Sequence, residues 1–275
     1  MKIKFAIAFF AILIAATAIF FVLSSEHALV THPKGIIAHR ELKLIVTNIL
    51  LMLIVVVPTL VFLFWTLWKK KDYDPDHSYG VLGQVLLWFI PSAVIAVMAI
   101  HTWKATHELD PYQPLKSDVK PLSIQVVAID WKWLFIYPEE GIAAVNFVQF
   151  PAKTPIQFSL SADGSPMNSF WIPELSGQIY SMTGMVTPLH IMADERGEYR
   201  GRAAEINGEG FADMTFIAKS TSRADFDEWV ATVKREAGSL DYEELLKPSK
   251  KNPIVFYANV ENDLFNKIVM KYMHP

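Results

Sequence analysis

The chain has 275 residues, a formal net charge of −3 and 52% hydrophobic residues, with a mean hydropathy of +0.26. That is too apolar for an ordinary soluble protein and too polar for a bundle of spanning helices alone, so a membrane part joined to a soluble part is implied. Cysteine is absent, which excludes disulfides, thiolate catalysis, iron–sulfur clusters, thiolate metal sites and Cys-linked lipid anchors together. Basic residues are dispersed apart from Lys69, Lys70 and Lys71, which makes nucleic acid a poor partner.

Residues 1–25 read as a signal sequence or an uncleaved anchor. Phe5 to Leu23 carries no charge behind Lys2 and Lys4, and it exceeds the usual signal core of about 7–15 residues. The small-x-small triplet Ala16-Thr17-Ala18 lies inside the apolar run instead of after it, which favours retention.

Residues 41–107 read as a transmembrane helical hairpin. Leu44 to Trp68 is uncharged and, at about 1.5 Å per residue, long enough to cross a hydrocarbon core of about 30 Å. The second span covers about 81–103; Val81 to Ile100 is uncharged, and Trp103 and Lys104 suit the interface. Pro58 and Pro91 predict kinks that neighbouring helices can absorb. The connecting loop opens with Lys69, Lys70 and Lys71, so the positive-inside rule puts it in the cytoplasm and everything after His107 outside.

From Pro111 the texture changes to short β-rich runs: Ile124–Ile129, Trp133–Tyr137, Ala144–Phe150, Ile156–Leu160 and Met214–Ile217, separated by Pro, Gly, Asp and Ser. Such spacing predicts a sandwich or barrel over residues 111–220. Residues 221–275 read as a C-terminal helical extension. Ser222 to Asp225 forms a capping box opening a helix through about Arg235, and a second helix is expected over Glu261 to Met273.

Three segments carry a resemblance: the run from Asp130 through Trp131, Lys132 and Trp133 to Glu139; Met167 to Pro173; and Gln178 to Met182 with Gly184-Met185. Together they resemble subunit II of cytochrome bo-type ubiquinol oxidases, members of the haem-copper oxidase superfamily, over about Pro33 to Met273. The resemblance implies a spanning hairpin followed by a cupredoxin-like Greek-key β-sandwich.

In the related cytochrome c oxidases, subunit II holds a binuclear copper centre with an upstream His and a Cys-x-Glu-x-Cys-x-x-x-His-x-x-Met stretch, whose soft thiolates bridge the metals. By that resemblance the lost ligand positions here are Asn168, Ala203, Asn207 and Phe211, and only Glu205 and Met214 are retained. Independently of any family, Pro111 to Pro275 contains His190 and His274 as its only histidines and no thiol. A mononuclear His/His/Cys copper site is therefore excluded too. Met167, Met182, Met185, Met192 and Met214 could offer soft sulfur to Cu(I), but filling core and interface gaps is the commoner use of Met.

Trp131 and Trp133, expected to alternate on one strand and point to one face, either dock on a catalytic subunit or pack the sandwich. The resemblance makes Glu205 a residue that helps hold a divalent ion between subunits. A plain loop carboxylate is favoured over that role, because the other ligands would belong to another chain. His101 and His107 read as interfacial histidines. Gln84 stands where many relatives carry a Glu of a proton-entry pathway, leaving Asp74 and Asp76 as substitutes. Ser24-Ser25-Glu26 stands near the place of the lipid-anchor cysteine of several relatives.

The resemblance thus implies a non-catalytic, non-redox subunit of a proton-translocating ubiquinol oxidase in the bacterial inner membrane, its C-terminal domain periplasmic. It implies no cofactor in this chain, haems and copper in subunit I, ubiquinol as substrate of the complex, and subunit I, smaller helical subunits and lipid as partners, but no cytochrome c. A membrane-anchored binding or assembly module on the same scaffold is the rival reading, since fold alone does not fix function.

Overall fold

The computed structural model describes residues 29–69, 80–164, 167–249 and 253–273. The expected signal or anchor at 1–25, the loop residues Lys70 to Ser78 with Asp74 and Asp76, and His274 lie outside the described residues. The chain divides into two compact units, one of residues 40–110 and one made of the segment up to His39 together with Pro111 onward.

The first of these contains most of α1 (Ile36–Lys69) and all of α2 (Val81–Glu108), with Pro58 and Pro91 inside them. Both are long and apolar enough to cross a membrane. Trp88 is 76% exposed and Leu87 67%, an apolar expanse that water would not tolerate and lipid would. A polar link joins the two helices, from Asn48 Nδ2 to Thr102 Oγ1 at 3.2 Å. Gln84 is exposed on the first turn of α2.

The other unit is a sandwich of two sheets. A seven-stranded sheet runs in the order β11-β12-β3-β2-β1-β5-β8, with β1 Leu122–Ile129, β2 Lys132–Tyr137, β3 Ile142–Val145, β5 Ile156–Ala162, β8 Thr187–Ile191, β11 Gly238–Ser239 and β12 Val255–Ala258. A five-stranded sheet runs β4-β10-β9-β6-β7, with β4 Phe147–Pro151, β6 Met167–Trp171, β7 Ile179–Met182, β9 Gly197–Ala203 and β10 Thr215–Thr221. The pairs β1 with β5, β4 with β10 and β11 with β12 are parallel, and the rest antiparallel.

The single strand expected over Ala144–Phe150 is two strands in different sheets. Asn146 causes the break: its φ is 54°, a left-handed conformation that Asn tolerates better than most residues. Its side-chain oxygen accepts the Trp133 N–H at 2.8 Å and its own N–H donates to the Trp133 carbonyl at 2.8 Å. The chain thereby changes sheet without leaving backbone groups unpaired.

Between the sheets lies an aromatic core. Phe170 stacks on Phe216 at 5.0 Å between centroids, and Trp133 meets Phe170 edge-on at 5.2 Å. Such pairs add about 0.5–1.5 kcal/mol each beyond area burial. Trp131 and Trp133 therefore do not share one face of one strand as expected, and of the two readings Trp133 follows the packing one. Trp133 is fully buried on β2, whereas Trp131 precedes β2 in the turn and is only partly buried.

The C-terminal part is more than a helical extension. The capping box forms as expected, with Ser222 and Asp225 opening α3 (Arg223–Glu236), and Phe226, Val230 and Val233, one apolar stripe, enter the main core. A short helix α4 (Tyr242–Leu245) precedes β12, which pairs with β3. The last helix is shorter than expected, α5 (Leu264–Met270). Its Phe265, Ile268 and Val269 form a second core with Val127, Ile129, Leu134 and Ile136. The β1–β3 part of the seven-stranded sheet is thus buried on both faces, which is why Trp133 to Tyr137 in β2 reads as a continuous apolar run.

The N-terminal segment is also stitched to the sandwich. Gly35 bridges Ala193, and a Cβ there would lie 2.8 Å from the Met192 carbonyl oxygen. Beside it Lys34 pairs with Glu195 at 2.9 Å. Both side chains are largely exposed, so the pair contributes little.

Candidate functional site: the corner between β6, β9 and β10

β6 pairs with β9 through Phe170 opposite Ala203. Beyond β9 the chain makes a loop, a 3-10 turn at Phe211–Asp213 and then β10. Two backbone bonds close the loop at its base, Ala203 N–H to the Met214 carbonyl and Ala204 N–H to the Ser169 carbonyl, both 2.9 Å. Asn168 and Met214 are fully buried and Ala203 is 2% exposed.

From the loop, the Asn207 Nδ2 donates to Asn168 Oδ1 and lies 3.1 Å from the Met214 sulfur. Three of the positions singled out from sequence therefore meet. Asn168 Nδ2 and Asn207 Oδ1 have no partner among the described residues, so the two amides meet through half of their hydrogen-bonding capacity.

Trp131 supports this loop from below. Its Nε1 donates to the Asn207 carbonyl at 3.4 Å. Cβ atoms added at Gly208 and Gly210 would stand 3.1 and 2.4 Å from its ring, and Gly208 has a φ of +123°. The Gly-x-Gly in this loop is thus a close-approach requirement set by an indole. Phe211 packs partly buried against the main core. Glu205 is half-buried in the loop and Ile206 is 80% exposed.

The donor set does not fit copper. Amide groups, a methyl, a phenyl ring and one thioether stand where a binuclear or type-1 copper site requires thiolate and imidazole. Of the other methionines, Met167 and Met182 are opposite each other in the β6–β7 register, and Met185 is exposed in the following turn. His190 Nδ1 lies 2.9 Å from the Pro111 carbonyl oxygen, at the edge of the larger sheet.

Two charged residues beside Trp131 were not singled out from sequence. Burial pushes the Asp130 carboxyl up from its ordinary value of 3.8, against a smaller opposing pull from Lys132. Burial pushes the Lys132 ammonium down; it donates to the Leu245 and Lys247 carbonyls at 2.8 and 2.9 Å, capping α4 in the manner favoured at helix C-termini. No local pattern announces it, because the acceptors are more than a hundred residues away.

Two apolar helices of spanning length followed in sequence by a two-sheet sandwich with a thiolate-free corner define a membrane-anchored chain of the cupredoxin-like class. Residues 238–275 match the family model for the COX Aromatic Rich Motif. The cytochrome bo(3) ubiquinol oxidase subunit 2 of Pseudomonas aeruginosa is 46% identical over 252 residues, covering 88% of this chain and 76% of that protein. The ubiquinol oxidase subunit 2 of Acetobacter aceti is 43% identical, covering 88% and 82%. The solved periplasmic domain of cytochrome oxidase subunit II of Bradyrhizobium japonicum is similar with a TM-score of 0.42 at 20% identity, covering 45% of this chain and 99% of that one. The chain belongs to the family of ubiquinol oxidase subunit 2.

Proposed function

We propose that this chain is the non-redox subunit of a proton-translocating ubiquinol oxidase in a bacterial inner membrane, with its sandwich on the periplasmic side. It stabilises and caps a catalytic partner chain that carries the haems, the copper and the quinol pocket. The relatives from Pseudomonas aeruginosa and Acetobacter aceti carry ubiquinol in their names. The cationic start of the loop at Lys69, Lys70 and Lys71 supports the orientation.

One observation carries the non-redox reading: Asn168, Ala203, Asn207 and Phe211 occupy the corner where a copper-bearing relative would need His and Cys. Without a copper centre there is no entry port for electrons from cytochrome c, and a membrane-soluble donor is the natural reductant. Trp131 then props the loop and carries no electrons. Glu205 serves as a loop carboxylate facing the partner chain, and Gln84 leaves proton entry to other groups because an amide does not exchange protons.

The test is purification through a tag on this chain. A large haem protein should co-elute and the complex should oxidise ubiquinol with oxygen but not reduced cytochrome c. Recovery of the chain alone, without haem, supports an anchored binding module instead.

A further inference from the structure

Asp163 follows β5 and is 1% exposed. Its carboxylate accepts from the Tyr242 hydroxyl at 2.8 Å, from the Tyr272 hydroxyl, and from Lys271 Nζ at 3.0 and 3.3 Å. All three donors lie in the C-terminal segment 238–275. The Tyr272 hydroxyl in turn accepts the Gly164 N–H at 3.2 Å. A Cβ on Gly184, in the β7–β8 turn, would stand 3.2 Å from Tyr272 Cβ, and one on Gly164 would stand 3.8 Å from Asp130 Oδ2. The Asp163 N–H donates to the Ala128 carbonyl of β1 at 2.8 Å.

These contacts fall at one end of the sandwich. β1 and β5 are parallel and end side by side, with Ala128 opposite Ala162, so Asp130, Trp131 and Asp163 follow adjacent strand ends. Five residues after Asp163 the chain reaches Asn168. A buried carboxylate without partners is strongly unfavourable, and among the described residues the side chains that donate to Asp163 come from this C-terminal segment. Carboxylate and segment are therefore mutually dependent.

We propose that Asp163 is the catch that fastens residues 264–273 as a strap against Gly164 and the β7–β8 turn. This is independent of which substrate the complex oxidises. The proximity of the carboxylate also keeps Lys271 protonated to higher pH, and burial with that same carboxylate does so for Tyr242.

Hydrogen exchange read by mass spectrometry on the intact, detergent-solubilised complex tests it, comparing the natural chain with Asp163→Asn and with the double variant Tyr242→Phe, Tyr272→Phe. Hydrogen bonds to a charged group predict roughly tenfold or faster exchange in residues 264–273 for both variants. Peptides covering 160–164 and 183–186 should follow, while β9 and β10 keep their natural rates. Unchanged exchange in the strap of either folded variant overturns the proposal. So does acceleration spread evenly through β9 and β10, which would mark general destabilisation. If Asp163→Asn does not fold, the tyrosine variant decides, since it leaves the carboxylate in place and removes two of its donors.

Discussion

Asn207 reaches from its loop to the buried side-chain amide oxygen Oδ1 of Asn168, and its amide nitrogen also lies 3.1 Å from the Met214 sulfur. A side-chain amide thus ties β6 to the β9–β10 loop.

Removing the tie should loosen the corner. Asn168→Ala and Asn207→Ala should each lower the stability of the sandwich by about 1–3 kcal/mol, the usual consequence of leaving a buried polar partner unmet. The double variant should lose less than the sum of the two, because the two side chains share one bond. Denaturant midpoints followed by tryptophan fluorescence measure both; strict additivity would mean that the bond contributes nothing.

Gly210→Ala should be worse than its size suggests. The new Cβ would lie 2.4 Å from the Trp131 ring, so indole or loop must move, at about 1–3 kcal/mol for overpacking. Trp131→Leu in the same chain should restore part of the loss. Absence of any rescue would show that the indole is not what the glycine accommodates.

The pH profile of stability should carry a contribution from Asp130. Its folded pKa is raised above 3.8 by burial, so above that value the folded state holds more protons than the unfolded one. Stability then falls as pH rises from the unfolded value through the raised folded one, and the deficit persists to neutral pH. Asp130→Asn should therefore stabilise the sandwich near pH 7 and have little effect below pH 3.8, where both states are protonated. Chemical denaturation at several pH values measures this, and an equal gain at both ends would refute the assignment.

The corner should accept metal again when its donors are returned. Asn168→His, Ala203→Cys, Asn207→Cys and Phe211→His, with Glu205 and Met214 kept, place thiolate and imidazole donors on a strand and a loop that two backbone bonds already hold together, Ala203 to Met214 and Ala204 to Ser169. Replacing the partly buried Phe211 ring by imidazole weakens its packing against the main core, so the variant should be less stable without copper than with it. Copper titration with visible spectroscopy reads the outcome: intense thiolate charge-transfer bands are expected. A folded variant that binds no copper, or binds it through nitrogen and oxygen alone, would show that these side chains do not converge.

Much of this architecture is written locally in the chain. The spans follow from uncharged length, and the capping box at Ser222 and Asp225 appears as spelled. The break at Asn146 was hidden because the apolar pattern continues through it; only its φ of 54° reveals it. β9 carries no apolar run, because Glu198, Arg200 and Arg202 on an outward face alternate with Gly197, Tyr199, Gly201 and Ala203. β12 has a local signal in the β-branched and aromatic run Ile254 to Tyr257 between Pro253 and Asn259, but only its pairing with β3, over a hundred residues earlier, joins it to the sandwich. At the corner, residue types show which donors are lacking, but neither the amide contact between Asn168 and Asn207 nor the indole beneath Gly210 has a local sequence signature. Asp163 read as an ordinary turn residue for the same reason: its partners lie 79 to 109 positions away.

The central claim is that this cupredoxin-like chain works without copper. The direct measurement is metal content and visible absorption of the full chain after it has been separated from its partners in detergent. The account predicts no copper and no absorption band in the visible. Copper retained in fixed ratio to this chain, with charge-transfer bands, would contradict it.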